Sequence, residues 1–341
     1  MIWRMTAALL LSLGIALGTG PWLIRRLKKL HFGTVIYELG PAHQQKQGTP
    51  VMGGLMIVLA VVVCQLVLHP FPWQGIWDPA VGLLGISLLS MAVGFADDWI
   101  KAVKKRHEGL TPWQKIAGQV IAAVGFSCWC YFHPGIGSSI RVPFLHTEWN
   151  LGIWYLPLMS LTVIFYVNST NLQDGLDGLL GTISALTSGA WLMVILLGTL
   201  MMSLAWKDAG PMAVFALSLA GGCVGYLRYN RYPAKVFMGD TGSMFLGGAS
   251  VGLAMVLRQP LLLILIGICP ILSSVSVILQ RYYFKLTRRF SKDHQGRRLF
   301  RMSPIHHHFE KKGYTEVQIV SMYAGITLIA SLIAVISQIR V

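Results

Sequence analysis

The chain has 341 residues, of which 54% are hydrophobic and only 12% charged, with a mean hydropathy of +0.60. An ordinary soluble domain carries about twice that share of charge, so the composition excludes one. The apolar surplus falls in uninterrupted runs of about twenty residues, the length a helix needs to cross a hydrocarbon core of roughly 30 Å. Backbone groups in lipid must bond within their own segment. The predicted fold class is therefore all-α, a polytopic integral membrane protein.

Ten candidate spans follow in chain order: Ile2–Ile24, Val51–Leu68, Pro79–Ala96, Ile116–Phe132, Leu151–Thr170, Gly178–Met202, Pro211–Leu227, Thr241–Leu257, Pro260–Gln280 and Val317–Ile339. Nine contain no Asp, Glu, Lys or Arg, and the first contains only Arg4. That first run is not a signal peptide, because its basic cluster (Arg25, Arg26, Lys28, Lys29) follows the apolar stretch instead of preceding it. An N-terminus outside the cell then leaves 23 of the 28 Lys and Arg residues on the cytoplasmic side. This is the bias that sets orientation in membranes, and it places both termini outside.

The chain is accordingly read as one integral membrane domain, 1–341, with cytoplasmic loops at about 25–50, 97–115, 171–177, 228–240 and 281–316. Ten of the thirteen carboxylates share the cytoplasmic side, leaving Asp78, Glu148 and Asp208 outside. Acidic residues contribute little to topology, so their crowding there indicates chemistry on that face. The five cysteines lie in or at the ends of spans, and Cys128-x-Cys130 has no second pair at zinc spacing. They are read as small apolar packing residues.

The loops carry the polar signals. Lys46 stands before Gly48-Thr49-Pro50 at the mouth of the second span, either as an interfacial lysine or as part of a shaped loop. Asp97 and Asp98 sit where the third span meets water. Two adjacent carboxylates resist ionising together unless cations meet them, so they are neutralised by Lys101, Lys104 and Lys105 or they divide metal binding and base chemistry between them. After the fifth span, Asp174 and Asp177 are three residues apart, which on a helical turn gives them one face, with Asn171 a turn earlier. Their amide and carboxylates suit a base edge or ribose hydroxyls.

Asp240, between Gly239 and Gly242, opens the eighth span, either as a helix cap or as a third carboxylate at the depth of Asp97 and Asp98. Three carboxylates make an oxygen set of the kind Mg²⁺ prefers. Asn230 and Phe237 in the same loop offer an amide and a ring for stacking on a base. The last connection interleaves Phe290, Leu299, Phe300 and Met302 with arginines, the pattern of an element lying on an anionic leaflet.

That connection ends in three consecutive histidines, His306, His307 and His308, too far from either terminus for a purification tag. No helix aims three successive side chains at one ion, and no cysteine is near, which disfavours closed zinc. Imidazoles there suit contact with phosphate or proton transfer. Metal-binding acids, base-reading amides and phosphate-binding cations together describe phosphoryl transfer from a nucleotide.

The stretches "GTPVMGG", "GFADDWIK", "NLQDGLDGL", "VFMGDTGS" and "SPIHHHFE", in that order, resemble the polyprenyl-phosphate N-acetylhexosamine-1-phosphate transferases. The resemblance covers essentially the whole chain, and the histidine stretch points to the bacterial phospho-N-acetylmuramoyl-pentapeptide transferase branch. It implies transfer of phospho-MurNAc-pentapeptide from UDP-MurNAc-pentapeptide to undecaprenyl phosphate, giving lipid I and UMP for cell-wall peptidoglycan, with Mg²⁺ as cofactor. It further implies a multi-pass location in the bacterial inner membrane with the site on the cytoplasmic face. Partners are the two substrates and the bilayer; a homodimer is left open, and no nucleic acid is called for.

By motif, Asp240 resembles the Mg²⁺ ligand, Asp98 the base or key acid, and Asp97 its neighbour, while His306 and Lys46 resemble essential polar residues. Asn171, Asp174, Asp177, Asn230 and Phe237 match the nucleoside-binding set. Lys101, Lys115, Gln280, Ser303, His307 and His308 fall at further substrate-binding positions. Val51 replaces the commoner threonine, Ser303 the commoner alanine, and the basic segment around His294–Arg298 is slightly extended. A GlcNAc-1-phosphate transferase acting on the same lipid would share the aspartates but lack the triple histidine. A transporter would carry ionisable groups at mid-membrane, whereas here the span interiors are free of them.

Overall fold

The structure, a computed structural model, describes residues 2–30, 46, 48–69, 74–104, 108–201, 204–291 and 295–339. Lys105, His294 and Arg340 lie outside the described residues, as does most of the loop before Lys46. Each of the ten apolar segments is helical. The long elements are α1 (Ile2–Lys29), α2 (Leu55–Leu68), α3 (Pro79–Lys104), α4 (Pro112–Phe132), α5 (Tyr155–Gln173), α6 (Leu179–Leu200), α7 (Trp206–Asn230) and α8 (Gly239–Val256). The chain closes with α9 (Leu263–Ile266), α10 (Ile268–Phe290), α11 (Ile305–Glu310) and α12 (Glu316–Ile336). Among the described residues, seven helices are long and apolar enough to cross a membrane by themselves, and the bent pair Pro260–Ile266 and Ile268–Phe290 would make an eighth span.

Packing centres on α8, in which every residue from Thr241 to Val256 is buried. It lies against α3 and α5. Small residues permit that approach: a Cβ on Gly248 would stand 2.8 Å from Ser90 Oγ of α3, and one on Gly94 of α3 would stand 2.2 Å from the Asp240 carbonyl oxygen. Asp240 is thereby brought to the end of α3 where Asp97 and Asp98 lie.

Four expectations are corrected. The ninth span is not one helix: α9 and α10 meet at 85° across Gly267. A Cβ there would stand 2.3 Å from Tyr166, and Pro270 falls in the first turn of α10, where a missing N–H loses no helical bond. The chain is not purely helical, since β1 (Ser139–Val142) and β2 (Thr147–Asn150) form an antiparallel hairpin with Arg141 opposite Glu148.

The second span starts at Leu55, not Val51, because residues 50–54 run beside 236–238: Phe237 N–H donates to Pro50 O (2.8 Å) and Gly53 N–H to Phe237 O (2.8 Å). Finally, Asp174 and Asp177 do not share a helical turn. Helix α5 ends at Gln173, and Gly178, with φ +77°, opens α6, so the two aspartates occupy a tight turn and point apart.

Candidate active site

Helix α3 runs two turns beyond the predicted end of its span and carries Asp97, Asp98 and Lys101 on its last stretch. Asp97 Oδ1 accepts the Leu110 N–H at 2.9 Å and its Oδ2 pairs with Lys101 Nζ at 2.5 Å. This contact holds the loop that enters α4, whose start is fixed by a reciprocal Thr111–Gln114 capping box. Lys115, one turn into α4, is thereby aimed at Asp240 Oδ2, 2.6 Å away. Lys101 approaches the same oxygen at 3.4 Å, and Asn171 donates to Asp240 Oδ1 at 2.8 Å and to Ser243 at 2.9 Å.

Asp98, also buried, accepts both the backbone N–H and the hydroxyl of Thr241 on Oδ2, at 2.9 and 2.7 Å. It ties α3 to the N-terminus of α8, where the helix dipole favours negative charge. Among the described residues, Asp97, Asp98 and Asp240 offer carboxylate oxygens within 4.8 Å of one another. Three carboxylates against two lysines leave one negative charge over. The donor set is all oxygen, which fits Mg²⁺ held by a few carboxylates together with substrate phosphates.

A second cluster forms around Lys46. Its Nζ donates to Asp177 Oδ1 at 2.7 Å and to Glu316 Oε2 at 2.8 Å, and lies 6.0 Å from the centre of the Phe237 ring. Burial would lower the ammonium pKa, but hydrogen bonds and charge from Asp177 and Glu316 outweigh it and leave the pKa raised, so Lys46 is a fixed cation. Asp177 Oδ2 accepts the Ala234 N–H at 2.9 Å. Between the clusters, burial and the charges of Asp240 and Asp98 push Asp174 up to about 8.

Asn230 is spent on backbone: its oxygen accepts from Gly178 N–H (3.0 Å) and its amide donates to Val236 O (2.9 Å). It clamps the turn before α6 to the Phe237 strand. Gln280 likewise grips both backbone groups of Phe300 (2.8 and 3.1 Å), His308 Nδ1 accepts the Arg301 N–H (3.1 Å), and His307 Nδ1 contacts Glu310 at 2.5 Å. With partly buried Ser303, these residues shape the loop that delivers α11.

Inside that loop His306 is fully buried, and among the described residues neither ring nitrogen has a hydrogen-bond partner. Burial and neighbouring His307 hold its pKa well below the usual range, so the ring is neutral. Its seat is Gly175: a Cβ there would stand 2.3 Å from His306 Nε2 and 3.1 Å from His307 Nε2. Gly175→Ala is expected to displace the imidazole, costing about 1–3 kcal/mol of stability and more than about ten-fold in turnover, checked by thermal melting and initial rates.

The structure thus gathers Asp97, Asp98, Lys101, Lys115, Asn171 and Asp240 at one centre and Lys46, Asp177 and Phe237 at a second. Asn230, Gln280 and His308 hold backbone, and Ser303 is partly buried in the loop before α11. Asn171, grouped in the sequence with the nucleoside set, is found on Asp240. Thr241 and Glu316 were not foreseen. The only local signal for Glu316 was its place in the Thr315–Gln318 capping box, which hides its reach to Lys46.

A helical membrane bundle that closes one end with carboxylates, lysines and a buried histidine has the parts of a phosphoryl-transfer enzyme. The glycosyl transferase family 4 model matches residues 80–258. The chain is 40% identical to the phospho-N-acetylmuramoyl-pentapeptide-transferase of Heliobacterium modesticaldum over 98% of this chain and 97% of that protein. It is 40% identical to the enzyme of Clostridium perfringens strain SM101 over 97% and 96%, and 38% identical to that of Caldicellulosiruptor bescii over 96% and 95%. The chain belongs to the phospho-N-acetylmuramoyl-pentapeptide transferase family. It is an integral membrane transferase.

Proposed function

We propose that this protein transfers phospho-MurNAc-pentapeptide from UDP-MurNAc-pentapeptide to undecaprenyl phosphate, forming lipid I and UMP, at the cytoplasmic face of the bacterial plasma membrane. The observation that carries the reading is the cluster of Asp97, Asp98 and Asp240 with Lys101 and Lys115 against Asp240 Oδ2. Ten helical crossings with both termini outside are supported by the ten helical segments and by the Lys/Arg bias.

Asp97, Asp98 and Asp240 are the residues that would hold Mg²⁺, with Asp240 the central ligand. When bound, the ion supplies positive charge that neutralises the diphosphate and the departing UMP. Lys101 and Lys115 flank the diphosphate as point charges. Asp98 lies near the end of α3, on the side of the bundle that a phosphate on a lipid reaches from the bilayer. It removes or repels the proton on that phosphate.

The lipid phosphate oxygen then bonds to the β-phosphorus as the bond from that phosphorus to the UMP oxygen breaks, in one in-line displacement. Buried, neutral His306, whose ring nitrogens have no partner among the described residues, packs on Gly175, and Lys46, Asp177 and Phe237 receive the uridine of the donor. A single step is favoured because the site already positions both reactants without a covalent stage. The expected result with UDP-MurNAc-pentapeptide and no lipid phosphate is no release of UMP. A stoichiometric burst, with sugar-phosphate trapped on Asp98 or Asp240, would establish the covalent route instead.

A further inference from the structure

We infer that Glu316 is a positioning residue of the donor site, fixing the Lys46 ammonium and the Asp177 turn for the uridine half of the donor. The inference rests on the function proposed above and adds to it a residue that lies outside every motif of the sequence reading. Both Glu316 oxygens reach Lys46 Nζ, at 2.7 and 2.8 Å. The same carboxylate accepts the Asp177 backbone N–H at 2.9 Å. One side chain therefore holds the lysine and its other partner together, across sequence separations of 270 and 139 residues.

A simpler explanation is available for a glutamate at this position. It occupies the first turn of α12, where a negative charge meets the helix dipole. That requirement does not account for its contacts. The Thr315–Gln318 capping box serves two N–H groups at the helix start, and the Glu316 carboxylate turns instead to two other segments. Side-chain exposures of 17% for Lys46, 2% for Asp177 and 10% for Glu316 keep the triad largely out of water, where charged hydrogen bonds count for more than on a surface.

Charge indicates what the triad serves. Two carboxylates on one ammonium leave a net negative charge, which repels phosphate. The diphosphate belongs with Lys101 and Lys115, and the Lys46 end suits the uncharged base and ribose. Phe237 supplies a ring face there, and Lys46, held by both carboxylates, lies 6.0 Å from its centre. Without Glu316 the ammonium keeps a single partner and a flexible four-carbon stem.

The test uses the full-length purified protein with UDP-MurNAc-pentapeptide and undecaprenyl phosphate varied separately, for wild type, Glu316→Ala and Glu316→Gln. Glu316→Ala is expected to raise the KM for the UDP donor, and the inhibition constant for UMP, by roughly ten-fold or more, with kcat and the lipid KM unchanged. Glu316→Gln keeps an oxygen for the Asp177 N–H and one contact to Lys46 but turns its NH₂ toward the ammonium, and should recover part of the loss. An unchanged donor KM and UMP constant in Glu316→Ala, or a fall in kcat alone, would overturn the inference. So would a lowered melting temperature in both variants with only the apparent kcat falling, in step with the folded fraction. Failure of the wild type to use this donor would instead overturn the proposed function.

Discussion

Asp240→Asn is expected to reduce transfer by roughly a thousand-fold while the protein still folds. Asp240 Oδ1 accepts from Asn171 and Oδ2 from Lys115 and Lys101, so these three contacts all bring a donor to its carboxylate. An asparagine has one acceptor and one donor. Turned either way, its NH₂ faces Asn171 or a lysine. The substitution thus removes the charge that a divalent cation needs and sets two donors against each other, yet changes no volume in the α3–α8 contact. Turnover measured across a Mg²⁺ titration checks this: the loss should persist at saturating metal, and near wild-type rates there would remove Asp240 from the metal site.

Asp98→Asn should cost roughly 10²–10⁴-fold in kcat, for a different reason. Asp98, the base in the proposed mechanism, also holds the start of α8 through Thr241. An asparagine oxygen can keep accepting from the Thr241 N–H and hydroxyl, so the scaffold survives while the basic carboxylate is lost. Asp98→Ala removes both functions and should also lower the melting temperature. If Asp98→Asn retained full kcat while Asp98→Ala lost it, Asp98 would be a structural link between α3 and α8 and not the base. Asp97 offers a contrast, since its contacts to Leu110 and Lys101 make it the residue that sets the loop into α4.

Much of this was legible in the sequence because membranes impose simple rules. Charge-free apolar runs had to be helices, and carboxylates collected at their ends had to meet cations. Asp97, Asp98 and Asp240 could be grouped by depth alone, Lys101 lay close enough along the chain to be suspected, and Lys115 came from the family resemblance. What escaped notice depends on pairing between distant segments. Glu316 meets Lys46 across most of the chain, and nothing near either residue announces it.

Local apolar character also reads alike for a helix facing lipid and for one enclosed by protein, so the full burial of α8 left no mark on its composition. The break at Gly267 was similarly masked by apolar residues on both sides, although Gly267 and Pro270 were the signals for it. Residues 51–54 were assigned to the second span for their hydrophobicity, but pairing with residues 236–238 draws them out of it. Asn230 and Gln280 illustrate the reverse error of emphasis: polar side chains near a site are easily read as ligand contacts, and here both clamp backbone.

The most direct measurement supplies the purified, membrane-reconstituted protein with undecaprenyl phosphate, Mg²⁺ and either labelled UDP-MurNAc-pentapeptide or labelled UDP-GlcNAc, and follows label into the lipid phase together with UMP release. The account predicts lipid-linked label from UDP-MurNAc-pentapeptide, one UMP for each transfer, loss of the signal on chelation of the metal, and none from UDP-GlcNAc. Preferential transfer from UDP-GlcNAc, or transfer undiminished by Asp240→Asn, would contradict it.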